Sequence, residues 1–474
     1  MIAKRVLLAT LLLSGAASVQ AADPRPDQIA FRGLYKELIE TNTAASNGSC
    51  TEAAQKMAAR LKAAGYPDAD LVQFAAPDHP KDGGLVAVLH GSDAKAKAVL
   101  LLAHIDVVEA KREDWVRDPF VLTEEDGKLY GRGTIDDKAQ AAIWTDSLIR
   151  LRQEGFKPKR TLKMALTCGE EGGGSGFNGA RWLVQNKRDL IDAEFALNEG
   201  AAGLLDAEGK PSAITLQVGE KTYRDYRLEV TNPGGHSSRP VKDNAIYHLA
   251  HALEAVENHA FPIQFTEASH AYFEGIAPQQ AAKGNKEVAD AMAAMLRTPM
   301  DAKAAEFVAA KDPSWNGTLR TTCVATQLDG GHAPNALPQR AGANINCRIF
   351  PGVSGEQVRK DLEAAIADPA VKVTMTSADE AMAPAPAMTP KIIDPAKKLM
   401  AEMWPGVPVL PILQAGGTDG RYLIPAGIPT YGIDANFLDT SLDHIHGLNE
   451  YTTVDGLYKD RDFLYRLVKT YVGG

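Results

Sequence analysis

Histidine and carboxylate side chains recur just beyond short apolar runs in the N-terminal half of this 474-residue chain. Ala98-Val99-Leu100-Leu101-Leu102-Ala103 leads into His104-Ile105-Asp106. Leu162-Lys163-Met164-Ala165-Leu166-Thr167 leads into Glu170-Glu171. Between them lies Gly131-Arg132-Gly133-Thr134-Ile135-Asp136-Asp137-Lys138. Short apolar runs bounded by turn signals read as buried strands of a parallel sheet. Such sheets hold ligands in the crevice past the carboxyl ends of their strands. Imidazole and carboxylates converging there suit zinc, or manganese or cobalt. Any one His-x-Asp or acidic pair is an ordinary surface contact. Three such clusters falling at or near strand ends together point to a shared metal site.

The elements that must position these groups follow from periodicity. Helices are expected over 28–41, 50–64, 138–154 and 180–190, with strands over 85–90, 99–102, 162–167 and 195–197. Asn198-Glu199-Gly200 follows the last of these. This alternation predicts an α/β catalytic domain whose mostly parallel central sheet is flanked by helices, with the metal site at the carboxyl rim. The texture changes near Lys221. Alternating strands over 223–231, 320–327, 342–350 and 371–376, with helices over 243–257 and 355–366, predict an inserted α+β domain with an antiparallel sheet. The Ala-rich stretch 275–311 is helical in propensity and has no evident place. Pro384, Pro386 and Pro390 mark a linker, after which a helix over 394–403 and the motifs Gly416-Gly417-Thr418-Asp419-Gly420 and His444-Ile445-His446 resume the α/β pattern. The expected division is a signal peptide at 1–21, a discontinuous catalytic domain at 22–220 and 385–474, and an inserted lid or dimerisation domain at 221–384.

The length is ample for two domains, and 45% hydrophobic with 23% charged residues is the composition of a globular protein. A net charge of −9 without a long basic run argues against nucleic-acid binding. Lys4 and Arg5, the apolar run 6–17 and the small residues before Ala22 have the pattern of a secretory signal peptide. Export to the periplasm or the medium is expected, with no membrane attachment after cleavage; an uncleaved anchor is the alternative. Of the four cysteines, Cys323 and Cys347 flank a hairpin-like loop about Asn335. A cross-strand bridge and a pair of small buried side chains are both consistent with that placement. Asn47-Gly48-Ser49 and Asn316-Gly317-Thr318 match a glycosylation sequon, relevant only in a eukaryotic source.

With these residues in hand, the mature chain resembles, over nearly its whole length, the dinuclear zinc family that includes aminoacylase, acetylornithine deacetylase, succinyl-diaminopimelate desuccinylase, glutamate carboxypeptidase and the carnosinases. Trp115 with Pro119-Phe120, and Gly155-Phe156-Lys157-Pro158, look most like its carboxypeptidase S branch. The resemblance implies two zinc ions per chain, with cobalt or manganese as substitutes. Asp136 would bridge them; His104 and Glu199 would complete one site, Glu171 and His446 the other. His446 is chosen over His444 because Gly447 and Glu450 follow it. The family's peptide bond after the bridging aspartate is cis, here Asp136–Asp137. Asp106 would hold the second ring nitrogen of His104, and Glu170 would be the general base. His236, in Gly234-Gly235-His236-Ser237-Ser238, would stabilise the oxyanion from the same chain or from a partner. Asn335 and Arg348 would bind the substrate carboxylate, and Gly417 and Thr418 would lie along the substrate. Arg421 is a weaker candidate, read more readily as a structural ion-pair partner.

The expected activity is hydrolysis of an amide next to a free carboxylate in small peptides, as a carboxypeptidase or dipeptidase. Hydrolysis of N-acyl amino acids is the alternative. A mononuclear enzyme and a metal-dependent binding protein without catalysis are further readings; the presence of Glu170 counts against the last. A homodimer through the inserted domain is a further expectation from the resemblance.

Overall fold

The computed structural model describes residues 25–172, 176–377, 383–438 and 444–473. The expected signal peptide and Ala381-Met382 of the linker lie outside the described residues.

The strand Val99–His104 is buried at every position, and Leu100, Leu101 and Leu102 are each no more than 1% exposed. Truncating one of these leucines to alanine costs about 2–5 kcal/mol. It pairs in parallel with Leu162–Thr167 on one side and Phe195–Asn198 on the other, and Thr430–Ile433 continues the parallel set. Antiparallel strands extend both ends. His79–Leu89 and Leu71–Ala76 lie beyond Leu162–Thr167, and the long strand Pro211–Glu220 lies beyond Thr430–Ile433. The sheet is therefore mixed, and parallel at the centre where the site forms. Helices Pro26–Ile39, Cys50–Ala63, Lys138–Gln153 and Val454–Val472 pack into one core with its strands. Lys138–Gln153 is buried around most of its circumference, and Trp144 donates its indole N–H to the Leu102 carbonyl at 3.1 Å.

A second sheet has the antiparallel order Thr322–Gly330, Arg340–Ile349, Thr222–Thr231, Val371–Met375. Helices Ala245–Asn258 and Gly355–Ile366 share one core with it. This is the expected α+β unit. Cys323 lies directly opposite Cys347 in the register, and the two form a disulfide. A second disulfide, Cys50–Cys168, joins the start of helix Cys50–Ala63 to the residue after strand Leu162–Thr167. Nothing in the spacing of 118 residues signalled it.

The Ala-rich stretch has a definite place. Helices Glu267–Ala282, Lys286–Met295, Ala302–Lys311 and Pro313–Leu319 form a cluster around Phe273, Met292, Met295 and Val308. That cluster includes Ala213 and Leu410 of the catalytic sheet, where strand Val409–Gln414 pairs with Pro211–Glu220. A Cβ on Gly275 would come within 2.7 Å of Leu410 Cδ2, so the helix approaches the sheet closely. These helices flank the catalytic sheet rather than the antiparallel one.

Candidate active site

The parallel strands deliver their side chains to one rim. His104 ends its strand; Glu170 and Glu171 follow Leu162–Thr167; Glu199 follows Phe195–Asn198; and Asp136 precedes helix Lys138–Gln153. The Asp136 carboxylate lies between two imidazoles. Its Oδ1 is 2.9 Å from His104 Nε2, and its Oδ2 is 3.0 Å from His446 Nε2. Glu171 is 3.0 Å from His446 Nε2, and Glu199 Oε1 is 3.8 Å from His104 Nε2. Two sets of donor atoms, His104–Asp136–Glu171 and His104–Glu170–Glu199, are each within 4.8 Å of one another. One carboxylate facing two imidazoles with each oxygen, flanked by two further carboxylates, fits a pair of divalent cations of zinc type. The Asp136–Asp137 peptide bond is cis. His444 instead packs on the Tyr451 ring at 5.0 Å between centroids.

Asp106 faces the second ring nitrogen of His104 and has a further role beside it. His104 Nδ1 lies 3.1 Å from the Asp106 backbone carbonyl, while the carboxylate is 3.5 Å away. The carboxylate also accepts the backbone N–H of Glu171 at 3.1 Å and of Glu170 at 3.4 Å. Asp106 therefore fixes His104 through its carbonyl and the Glu170-Glu171 turn through its carboxylate.

The electrostatics of the cluster reflect packed opposite charges. Burial opposes protonation of His104, but Glu199, Asp106 and Asp136 draw it well above the ordinary histidine range. Asp136 and Glu171 raise His446 to about 10. Burial pushes Asp136 up, yet the two imidazoles hold it below the usual carboxylate range. Burial raises Glu170 to about 8 and Glu199 well above its ordinary value.

The other expected site residues lie elsewhere. His236 is exposed, and its Nδ1 accepts from the Ser238 hydroxyl at 2.8 Å and amide at 3.1 Å. It pairs with Ala336 in a two-stranded ladder, so Asn335 stands beside it and accepts from the Ser237 N–H. Arg348 lies in the antiparallel sheet with its guanidinium 4.9 Å from the Tyr223 ring centroid. His236 and Asn335 are thus together on the inserted domain, and among the described residues no hydrogen bond or ion pair joins them to the histidine–carboxylate cluster. Thr418 is 3% exposed. Its hydroxyl and amide both donate to Glu220 Oε2, at 2.7 and 2.9 Å, and the hydroxyl accepts from Asn198. That side chain is turned into the protein, so an approach to substrate here would be made by backbone; Gly417, half-buried, lies beside it at the surface. Arg421 is half-buried, with its Nη1 3.6 Å from where a Gly417 Cβ would sit.

Sequence reasoning missed the supports. Glu450 is fully buried, and its carboxylate accepts from Gly133, Ile135 and Asp136 amides and from Arg132. Lys138, also fully buried, donates to the Thr41 carbonyl at 2.8 Å. Asp419 accepts from Thr167 and Asn178 beneath the Glu170 turn. The signal available was charge inside otherwise apolar or glycine-rich motifs, where an unpaired charge is untenable.

A family model described as Peptidase family M20/M25/M40 matches residues 100–470. The chain is 30% identical over 387 residues to a Dictyostelium discoideum protein named probable carboxypeptidase S-like 2, covering 80% of this chain and 72% of the relative. It is 26% identical over 464 residues to the Homo sapiens N-fatty-acyl-amino acid synthase/hydrolase PM20D1, covering 96% and 90%. Among solved structures, the Sulfolobus solfataricus M20 family metallo-carboxypeptidase Sso-CP2 superposes with a TM-score of 0.67 at 17% identity, covering 93% of this chain and 99% of that one. Human carnosine dipeptidase 1 gives 0.62 at 17% identity, covering 94% and 96%. At that identity the structures share the fold. A mixed α/β domain with a histidine–carboxylate cluster on its carboxyl rim defines the class, a metal-dependent hydrolase. This chain belongs to Peptidase family M20/M25/M40.

Proposed function

We propose that this hydrolase cleaves an amide bond next to a free carboxylate in small peptides, as a carboxypeptidase or dipeptidase, with Glu170 as general base. The observation that carries the reading is Asp136 facing both His104 and His446 while Glu170 stands beside the cluster. His104, Glu199, Asp136, Glu171 and His446 would hold two divalent ions. Bound there, such ions polarise a carbonyl and make hydroxide available at neutral pH. Glu170 accepts the proton of the attacking water and delivers it to the leaving nitrogen. Arg348 and Asn335 hold the substrate carboxylate, and His236 donates to the developing oxyanion once the inserted domain meets the rim.

The similarity to PM20D1 across 96% of this chain favours one alternative, hydrolysis of N-acyl amino acids. A panel of dipeptides and N-acetyl and N-long-chain-acyl amino acids separates the two by relative kcat/KM. Glu170→Gln is expected to lose about 10²–10⁴ in kcat with metal content unchanged. Unchanged turnover would overturn the mechanism.

Two further readings belong here. Two disulfides suit export to an oxidising compartment, and no described helix is long and apolar enough to cross a membrane. The edge strand Thr322–Gly330 is exposed along most of its length, with Val324 59% and Leu328 69% exposed. An open edge with apolar side chains is a template for a second chain, so we propose a homodimer through it, with His236 serving the partner's site.

A further inference from the structure

We infer that the Cys50–Cys168 disulfide is a positioning device for Glu170, acting jointly with Asp106. The inference rests on the reading of Glu170 as the general base. Cys168 stands two residues before Glu170 and one residue past the strand Leu162–Thr167. Between them Gly169 is left-handed, with φ +87°, and a Cβ there would lie 2.3 Å from the Phe177 carbonyl oxygen. The turn is therefore tight, and its geometry depends on where Cys168 is held. Cys168 is 4% exposed and bonded to Cys50, 2% exposed, the first residue of a helix capped by Ser49. From the other side, the Asp106 carboxylate accepts the amides of Glu170 and Glu171. An Asp106 oxygen and both sulfurs lie within 4.8 Å of one another, so the covalent and hydrogen-bonded anchors meet at one point under the turn.

Glu170 and Glu171 themselves are half-buried. A general base misplaced by about 1 Å forfeits on the order of 10²-fold in rate. Asp106 restrains the turn by hydrogen bonds that exchange with water when the turn opens; the disulfide does not exchange. Its effect falls on the chemical step, since substrate binding belongs to other residues.

The test is Cys50→Ala/Cys168→Ala in a Cys323→Ala/Cys347→Ala background, compared with that background alone. Kinetics, metal content by plasma mass spectrometry, and amide exchange over 168–172 in the metal-free protein are measured together. The expected result is a fall in kcat of about tenfold or more with KM within twofold, metal content unchanged and faster exchange at 168–172. A kcat within twofold of the background overturns the inference. So does a loss accompanied by lost metal, which would make the disulfide a support of the metal cluster alone. If the variant does not fold, Cys50→Ser/Cys168→Ser in the same background, closer in size to the reduced thiols, replaces it with the same readouts. Glu170→Gln in the same background separates the failures. If it retains turnover, the general-base reading falls; if it loses turnover and the cysteine variant does not, only the disulfide inference falls.

Discussion

Arg132 Nη1 lies 2.7 Å from Glu450 Oε2 in an ion pair whose side chains are 3% and 0% exposed. The same guanidinium donates to the Gly447 carbonyl at 2.9 Å and sits 5.0 Å from the Trp115 ring centroid. Glu450 in turn accepts the amides of Gly133 and Ile135 at 3.0 and 2.8 Å. The loop that carries Asp136 and the loop that carries His446 are thus joined from behind by one buried pair. Removing one partner of such a pair leaves an uncompensated charge, at a cost of about 3–5 kcal/mol. Glu450→Ala is expected to lower unfolding free energy by that amount and to reduce metal content. Chemical denaturation and plasma mass spectrometry check it; wild-type stability in Glu450→Ala would contradict the account.

Glu220 supplies a pH prediction away from the metal cluster. Burial raises its carboxyl to about 7, against the lowering effect of the Thr418 hydrogen bonds. A folded value above the unfolded one means the native state binds the proton more tightly. The associated stability is fully present below the unfolded value, near pH 4.5, and is lost as pH rises through about 7. The difference of about 2.5 units corresponds to at most roughly 3 kcal/mol. Glu220→Gln keeps one carbonyl oxygen for Thr418 and removes the ionisation. Its melting temperature should vary less than wild type between pH 5 and 8, and should equal or exceed wild type at pH 8. A wild-type pH dependence in the variant would refute the assignment.

Arg348 and His236 should separate kinetically. A guanidinium that binds the same substrate carboxylate in ground and transition states affects mainly KM. Arg348→Ala is expected to raise KM about tenfold or more with a smaller change in kcat. His236→Ala, removing a donor to the oxyanion, is expected to lower kcat by about 10²–10³. Steady-state kinetics on the preferred substrate decide both. The reverse pattern would exchange the two roles.

The parts of the fold legible in the sequence are those set by local pattern. The all-apolar runs before His104 and Glu170 marked the central strands, and helix Gly355–Ile366 falls where its period placed it. Helix Pro390–Met403 starts four residues earlier than expected, because Pro390 sits in the first turn, where its missing N–H costs nothing. The strand Pro211–Glu220 was missed: its Ile214, Leu216 and Val218 alternate with Thr215 and Gln217, which are buried too and are hydrogen-bonded to Ala202 and Glu220. Pairings across long sequence separation, such as Cys50 with Cys168 or Arg132 with Glu450, carry no local signature. Their partners meet only when the sheet is assembled. The residues of the inserted domain proposed to serve the site, His236, Asn335 and Arg348, were picked out as residue types, but where they stand relative to the rim depends on assembly.

That assembly is testable through the exposed strand Thr322–Gly330. Val324→Asp with Leu328→Asp places like charges on an edge proposed to face its own copy, and should convert a dimer to a monomer by light scattering. If His236 serves the partner's site, the monomer also loses turnover, approaching the His236→Ala level. Mixing decides the point independently. Glu170→Gln and His236→Ala are each nearly inactive, but a heterodimer holds one site with its own Glu170 and the histidine of the Glu170→Gln chain. Refolding or exchanging the two together should restore up to about half the activity of the wild-type dimer per heterodimer formed. No recovery from a mixture shown to contain heterodimers would place His236 in the site of its own chain, reached by closure of the inserted domain.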